Sequence, residues 1–200
     1  MLCGKGKGRY RAHNALCGCL RRFAQQSGVE AEAETICPQL LQGEPGTDQS
    51  LEARLDVHLW GQGGALFEEW VDVTVTHPNR QDGRPKAVKE NGAAVEKAEQ
   101  RKRTRYGIGT GGTQCAPFGS ESWGRLGASA YAVIERLASQ HVVHCGASRA
   151  RTLQRWLAEL GVALCRAQAE TVAQAARRHD AEHADDAETE GDVAVAEAPA

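Results

Sequence analysis

The segment RLDVHLWGQGGALFEEWVDVTVTHP, residues 54–78, decides how this chain is read. Its apolar residues alternate with polar ones on either side of a glycine-rich connection, the period of two that marks a strand pair. Leu55, Val57 and Leu59 fall on one side of the first strand, residues 54–60. Val71, Val73 and Val75 fall on one side of the second, residues 68–76. Each strand carries one aspartate, Asp56 and Asp72, although Asp is depleted from strands. An antiparallel hairpin that puts the apolar sets together puts both aspartates on the opposite face. Setting 56 opposite 72 leaves residues 61–67 as the connection.

Two carboxylates directly across a strand pair would have Cβ atoms roughly 5 Å apart, and like charges there are destabilising. A fold keeps such a pair when a cation sits between them. Hard divalent ions, Mg²⁺ or Mn²⁺, take one or two carboxylates together with water and substrate phosphate. The alternative is that both aspartates simply point into solvent from a one-sided sheet. Downstream, residues 87–106 have helical periodicity. Val88, Val95, Ala98, Lys102 and Tyr106 share a face, which puts the Lys102 ammonium within reach of the carboxylate pair. The alternative is that Lys102 snorkels at the edge of a packed face. Arg101, Arg103 and Arg105 surround it as candidate phosphate contacts.

The rest of the chain reads as helix over 12–27, a short strand within 29–41, a short strand near residues 113–119 ended by Pro117, and helices over 128–140 and 149–178. Residues 1–10 are glycine- and lysine-rich and expected to be loose. Residues 179–200 carry eight acids and no Lys or Arg, and are expected to be a disordered acidic tail. Without those eight acids the chain has 24 basic against 18 acidic side chains. Six basic residues lie in 1–22 with no acid among them, and nine in 80–106 against four acids. A basic body of this kind fits an anionic partner, DNA or RNA first.

No apolar run is long enough to cross a membrane, and the N-terminus lacks the apolar centre of a secretory signal. The setting expected is intracellular, and nuclear. Seven scattered cysteines without a CxxC pair read as reduced thiols, and a zinc site from Cys3, His13, Cys17 or Cys19 has no standard spacing. Neither YGIGTGG nor GKGKG matches a phosphate-binding loop, so both are read as connections.

Asp56, then Asp72-Val73-Thr74 in an apolar strand, then a basic helix with Lys102-x-x-x-Tyr106, resembles the PD-(D/E)XK, or restriction-endonuclease-like, nucleases. Over residues 3–178 the chain is similar to the nuclease-like domain C-terminal to reverse transcriptase in non-LTR-type retrotransposon polyproteins. That resemblance implies an α/β (α+β) fold: a central mixed sheet of about four strands flanked by helices, an αβββαβ core with extra C-terminal helices, over residues 11–178. It implies a Mg²⁺- or Mn²⁺-dependent DNA endonuclease, with Asp56 and Asp72 as metal ligands and Lys102 as the catalytic lysine. Thr74 stands where the family's lysine usually sits, and Lys102 matches members whose lysine has moved to the following helix. The first helix lacks the family's usual acid, leaving His13 or Glu34 in that role, with His13 also a candidate nucleic-acid contact. Cys3 resembles the last ligand of a truncated zinc knuckle. The alternative is a catalytically inactive, nucleic-acid-binding remnant of such a polyprotein.

Overall fold

A computed structural model describes residues 7–42, 51–61, 67–79, 86, 89–106 and 115–191. The elements follow as α1 (Lys7–Gln26), β1 (Glu30–Gln42), β2 (Leu51–Gly61), β3 (Phe67–Thr76), α2 (Ala93–Tyr106), β4 (Cys115–Glu121), α3 (Ala128–Cys145) and α4 (Arg149–Gly191). The four strands form one mixed sheet in the order β1-β2-β3-β4. The first three are antiparallel, and β4 runs parallel to β3 because α2 carries the chain back across the sheet. This is the α+β, helix-flanked mixed sheet expected.

One sheet face is covered by α1, α3 and α4. Ala12, Leu16, Cys19, Leu20 and Phe23 from α1 meet Val57, Leu59, Val71, Val73, Ala116 and Phe118 from the sheet. Trp156, Leu160, Leu164 and Ala167 of α4 close the cluster. Phe23 stacks on Trp156 with ring centroids 4.5 Å apart, worth about 0.5–1.5 kcal/mol beyond the area it buries. The apolar stripes of both helices are the ones their periodicity dictates. A smaller cluster on the other face joins Cys37, Ala53, Leu55, Trp70 and Cys115, with Tyr106 of α2 against it.

Several boundaries move. Helix α1 starts at Lys7, inside the stretch expected to be loose. Pro117 lies within β4 instead of ending it. As an edge strand, β4 can present to the outside the position where proline has no N–H to donate. Helix α2 begins at Ala93, and residues 87–88 of its expected start lie outside the described residues. Helix α4 continues to Gly191, through much of the acidic segment expected to be disordered. Residues 1–6 and 192–200, and with them Cys3, lie outside the described residues, as do the glycine-rich 107–112 and residues 43–50. All six described cysteines are free thiols.

Leu55 also departs from its expected side. It packs with Trp70 and Cys115, whereas Val57 and Leu59 belong to the main core. The cause is a fork in the sheet. Strands β2 and β3 pair from Gly61–Phe67 to Val57–Val71 and no further. Beyond that point β2 stays with β1, through Thr35–Leu55 and Cys37–Ala53, and β3 stays with β4, through Asp72–Pro117 to Thr76–Glu121. At the same level Glu34 of β1 has φ +53°, a left-handed conformation that bends the strand. Asp56 and Asp72 therefore stand side by side at the apex of the fork, as the unbroken part of the register requires.

Glu99 fixes the position of α2. It is 2% exposed, and its carboxylate accepts hydrogen bonds from the Gly119, Ser129 and Ala130 backbone N–H groups at 3.1–3.2 Å. Two of these donors belong to the first turn of α3, where a negative charge also complements the helix dipole. Gly119 and Gly127 keep this approach open, because a Cβ at Gly127 would overlap the carboxylate and one at Gly119 would lie 2.7 Å from the Glu99 side chain. Replacing Glu99 with Ala strands three amides, and the expected loss is about 3 kcal/mol or more. Urea unfolding measures it. An unchanged midpoint would show that Glu99 does not hold these elements together.

Candidate active site

The fork explains why two aspartates occupy strand positions. At its apex β2 and β3 no longer exchange backbone hydrogen bonds, so a side chain must satisfy the freed groups. Asp56 does so: its Oδ2 accepts the Val73 N–H at 2.6 Å. An apolar residue at 56 would leave that amide without an acceptor.

Each carboxylate also has a cation of its own. The His13 ring of α1 places Nε2 3.0 Å from Asp56 Oδ2, and the Lys102 Nζ of α2 lies 2.7 Å from Asp72 Oδ2. Tyr106 and Asp56 are the other neighbours that act on the Asp72 carboxyl group. The Tyr106 ring lies 5.9 Å from the Lys102 ammonium, which it partly covers. The contact chain His13–Asp56–Asp72–Lys102 thus crosses from α1 through the fork to α2. Asp72 is buried, while Asp56, His13 and Lys102 are about a quarter exposed, so the cluster opens to solvent on one side.

Proton affinities follow from this arrangement. The hydrogen bond to Asp56, with a smaller contribution from Cys17, pushes the His13 imidazole up to about 11. Burial works to raise the Asp56 carboxyl, but the His13 hydrogen bond and charge outweigh it and hold Asp56 below the usual range. Burial raises Asp72, and Lys102 and Tyr106 counter this only in part. The two acids are pushed apart, with the proton favouring Asp72. Burial and then the hydrogen bond to Asp72 raise the Tyr106 hydroxyl. Burial, with the Asp72 charge added to it, pushes the Cys115 thiol up to about 12, so this cysteine is no nucleophile.

The residues singled out from sequence meet different fates. Asp56, Asp72 and Lys102 converge, with Tyr106 beside them. His13 takes the first-helix position, as a cation bound to Asp56. Glu34 is not part of the cluster: it is exposed and pairs with Arg54 at 3.7 Å. Arg101 and Arg105 are exposed, whereas Arg103 turns inward to Glu99 at 3.4 Å. Of the zinc candidates, His13 lies 3.9 Å from Cys17, while Cys19 contacts Arg22. Sequence reasoning missed Glu99, although it sits four residues after Val95 and three before Lys102, on the packed face.

Adjacent carboxylates suit a hard divalent ion, which needs oxygen donors and completes its shell with water and phosphate. Asp56 and Asp72 would hold it in place of the proton between them. No set of three or more His, Cys, Asp or Glu side chains gathers for a metal among the described residues. Compared with protein-family models, curated proteins and solved structures, the chain matches none.

The sign of the pH dependence is fixed by His13. Its folded pKa lies above the ordinary 6.5, so its contribution to stability is complete below about 6.5 and lost as pH rises towards 11. Asp56, held low, contributes above the ordinary carboxylate range and loses this as pH falls through its folded value. NMR titration should find the His13 ring still protonated at about pH 8. The fall in stability above neutral pH should flatten in His13→Asn. A His13 ring already neutral at that pH would contradict the pairing.

Proposed function

We propose that this chain is a metal-dependent DNA endonuclease domain of the PD-(D/E)XK type, of the kind found after reverse transcriptase in non-LTR-type retrotransposon polyproteins, acting in integration in the nucleus. The observation that carries the reading is the meeting of Asp56, Asp72 and Lys102, from three separate elements, at one fork in the sheet. A bound Mg²⁺ or Mn²⁺ supplies polarisation of a phosphoryl oxygen and a lowered pKa for its water. Asp56 and Asp72 fix where that cation binds. His13 keeps Asp56 ionised, so one carboxylate is ready to bind without first losing a proton. Lys102, anchored on Asp72, offers its ammonium to charge developing on the phosphate. Tyr106 limits the positions that Lys102 and Asp72 can adopt. Exposed Arg101 and Arg105, on the same helix as Lys102, suit contacts to the DNA backbone.

One observation favours a second reading, a non-catalytic nucleic-acid-binding remnant. Both carboxylates already have protein cations, and Thr74 replaces the strand lysine. In that case the fork is a buried ion-pair network and the basic surface alone binds DNA.

Supercoiled-plasmid nicking in Mg²⁺ or Mn²⁺ separates the two. The nuclease reading predicts cleavage that EDTA abolishes, that Asp72→Ala removes, and that Lys102→Met slows by more than about a hundredfold. Equal activity in wild type and Asp72→Ala would rule out this site as the catalyst. Salt-sensitive binding without metal-dependent cleavage would establish the remnant.

A further inference from the structure

Helix α1 is linked to the site through His13, and the turn before His13 presents a large aromatic side chain to solvent. Tyr10 is 71% exposed. It lies three residues before His13 and four before Asn14, hence on the same side of the helix and one turn away. Asn14 is exposed, and its Oδ1 lies 3.2 Å from the His13 ring. No acid occurs among residues 1–22 of the sequence, Arg11 adjoins Tyr10, and the His13–Asp56 pair lies one turn on.

An exposed tyrosine in the core-packing stripe would be a packing defect, but Tyr10 is outside that stripe. The inward residue of this turn is Ala12, which is buried. Tyr10 therefore contributes little to the fold. It places a flat ring one turn along α1 from His13, whose ring lies 3.0 Å from the Asp56 carboxylate. An aromatic ring on a basic surface is what unpaired nucleic acid uses: a nucleobase stacks on the ring while the cations take the phosphates. Bases inside a duplex are already stacked on each other and offer no free face.

We infer that Tyr10 stacks on a nucleobase of the strand whose phosphate lies at Asp56 and Asp72, so that this site prefers single-stranded or locally unpaired DNA. The inference rests on the nucleic-acid reading above and narrows its substrate class. Its ligand is the strand near a nick, flap or frayed end.

The test measures binding rather than cleavage, using the full chain carrying Asp72→Asn, without metal. Fluorescence anisotropy follows a thymidine oligonucleotide of about twenty nucleotides and a duplex of the same length. Tyr10→Ala should weaken single-strand binding roughly tenfold, the scale of one base–aromatic stack, while leaving duplex binding nearly unchanged. Tyr10→Phe should bind like the Tyr10 protein, since stacking needs the ring and not the hydroxyl. Equal single-strand affinity in Tyr10 and Tyr10→Ala proteins overturns the inference and leaves the nuclease reading intact. So does a loss in Tyr10→Phe as large as in Tyr10→Ala, which would assign the effect to the hydroxyl. Failure of the Tyr10 protein to bind either DNA overturns the inference and the nucleic-acid reading together. Loss of plasmid nicking alone, with this binding pattern present, removes only the enzyme.

Discussion

Two carboxyl groups held against each other at a fork in a β-sheet are the constraint on which this structure turns. Strands β2 and β3 separate after the Val57–Val71 pair, and Asp56 and Asp72 occupy the point of separation. Neither carboxylate would be stable there alone. Asp56 is held by the Val73 amide and His13, and Asp72 by Lys102 and Tyr106. Removing one cation leaves a charged group that must either take a proton or rearrange.

The scaffold around the fork keeps those partners in place. Helix α1 is fixed by Leu16, Leu20 and Phe23 in the main core, so His13 cannot drift from Asp56 without moving buried apolar surface. Helix α2 is fixed through Glu99, whose carboxylate ties it to β4 and to the first turn of α3. Lys102 lies less than one turn beyond Glu99 on the same helix. A buried structural carboxylate thus positions the lysine, and a buried apolar stripe positions the histidine. The candidate groups stand on rigid elements, a requirement for any site that must present charge without reorganising.

Much of this was legible in the sequence, for identifiable reasons. Alternation in 54–60 and 68–76 gave the strands and their register, because a slip of one residue would have turned the aspartates into the main core and Val57, Val71 and Val73 away from it. The stripe Val95, Ala98, Lys102, Tyr106 pointed Lys102 at the sheet. The fork itself was not legible: alternation puts Leu55 with Val57, and nothing local in RLDVHL announces that β2 leaves β3 at Asp56. His13 read as a weak stand-in for a missing acid because its partner lies 43 residues away in sequence, and only tertiary packing brings the two together. Glu99 read as one more charge on a basic helix, since its partners are backbone amides that carry no sequence signature. Pro117 misled for a related reason, as whether a strand lies at an edge is decided by the whole sheet.

The nuclease proposal requires the apex of the fork to accept a divalent cation between Asp56 and Asp72. NMR with substoichiometric Mn²⁺ tests it most directly, because the ion broadens signals only from nuclei close to where it binds. An ion held at the apex removes the Val57, Asp72 and Val73 amide signals selectively, and this loss is absent when both aspartates are replaced by Asn. Broadening confined to other acidic surfaces, or identical in the doubly substituted protein, would leave the fork as an ion-pair network with no place for a metal.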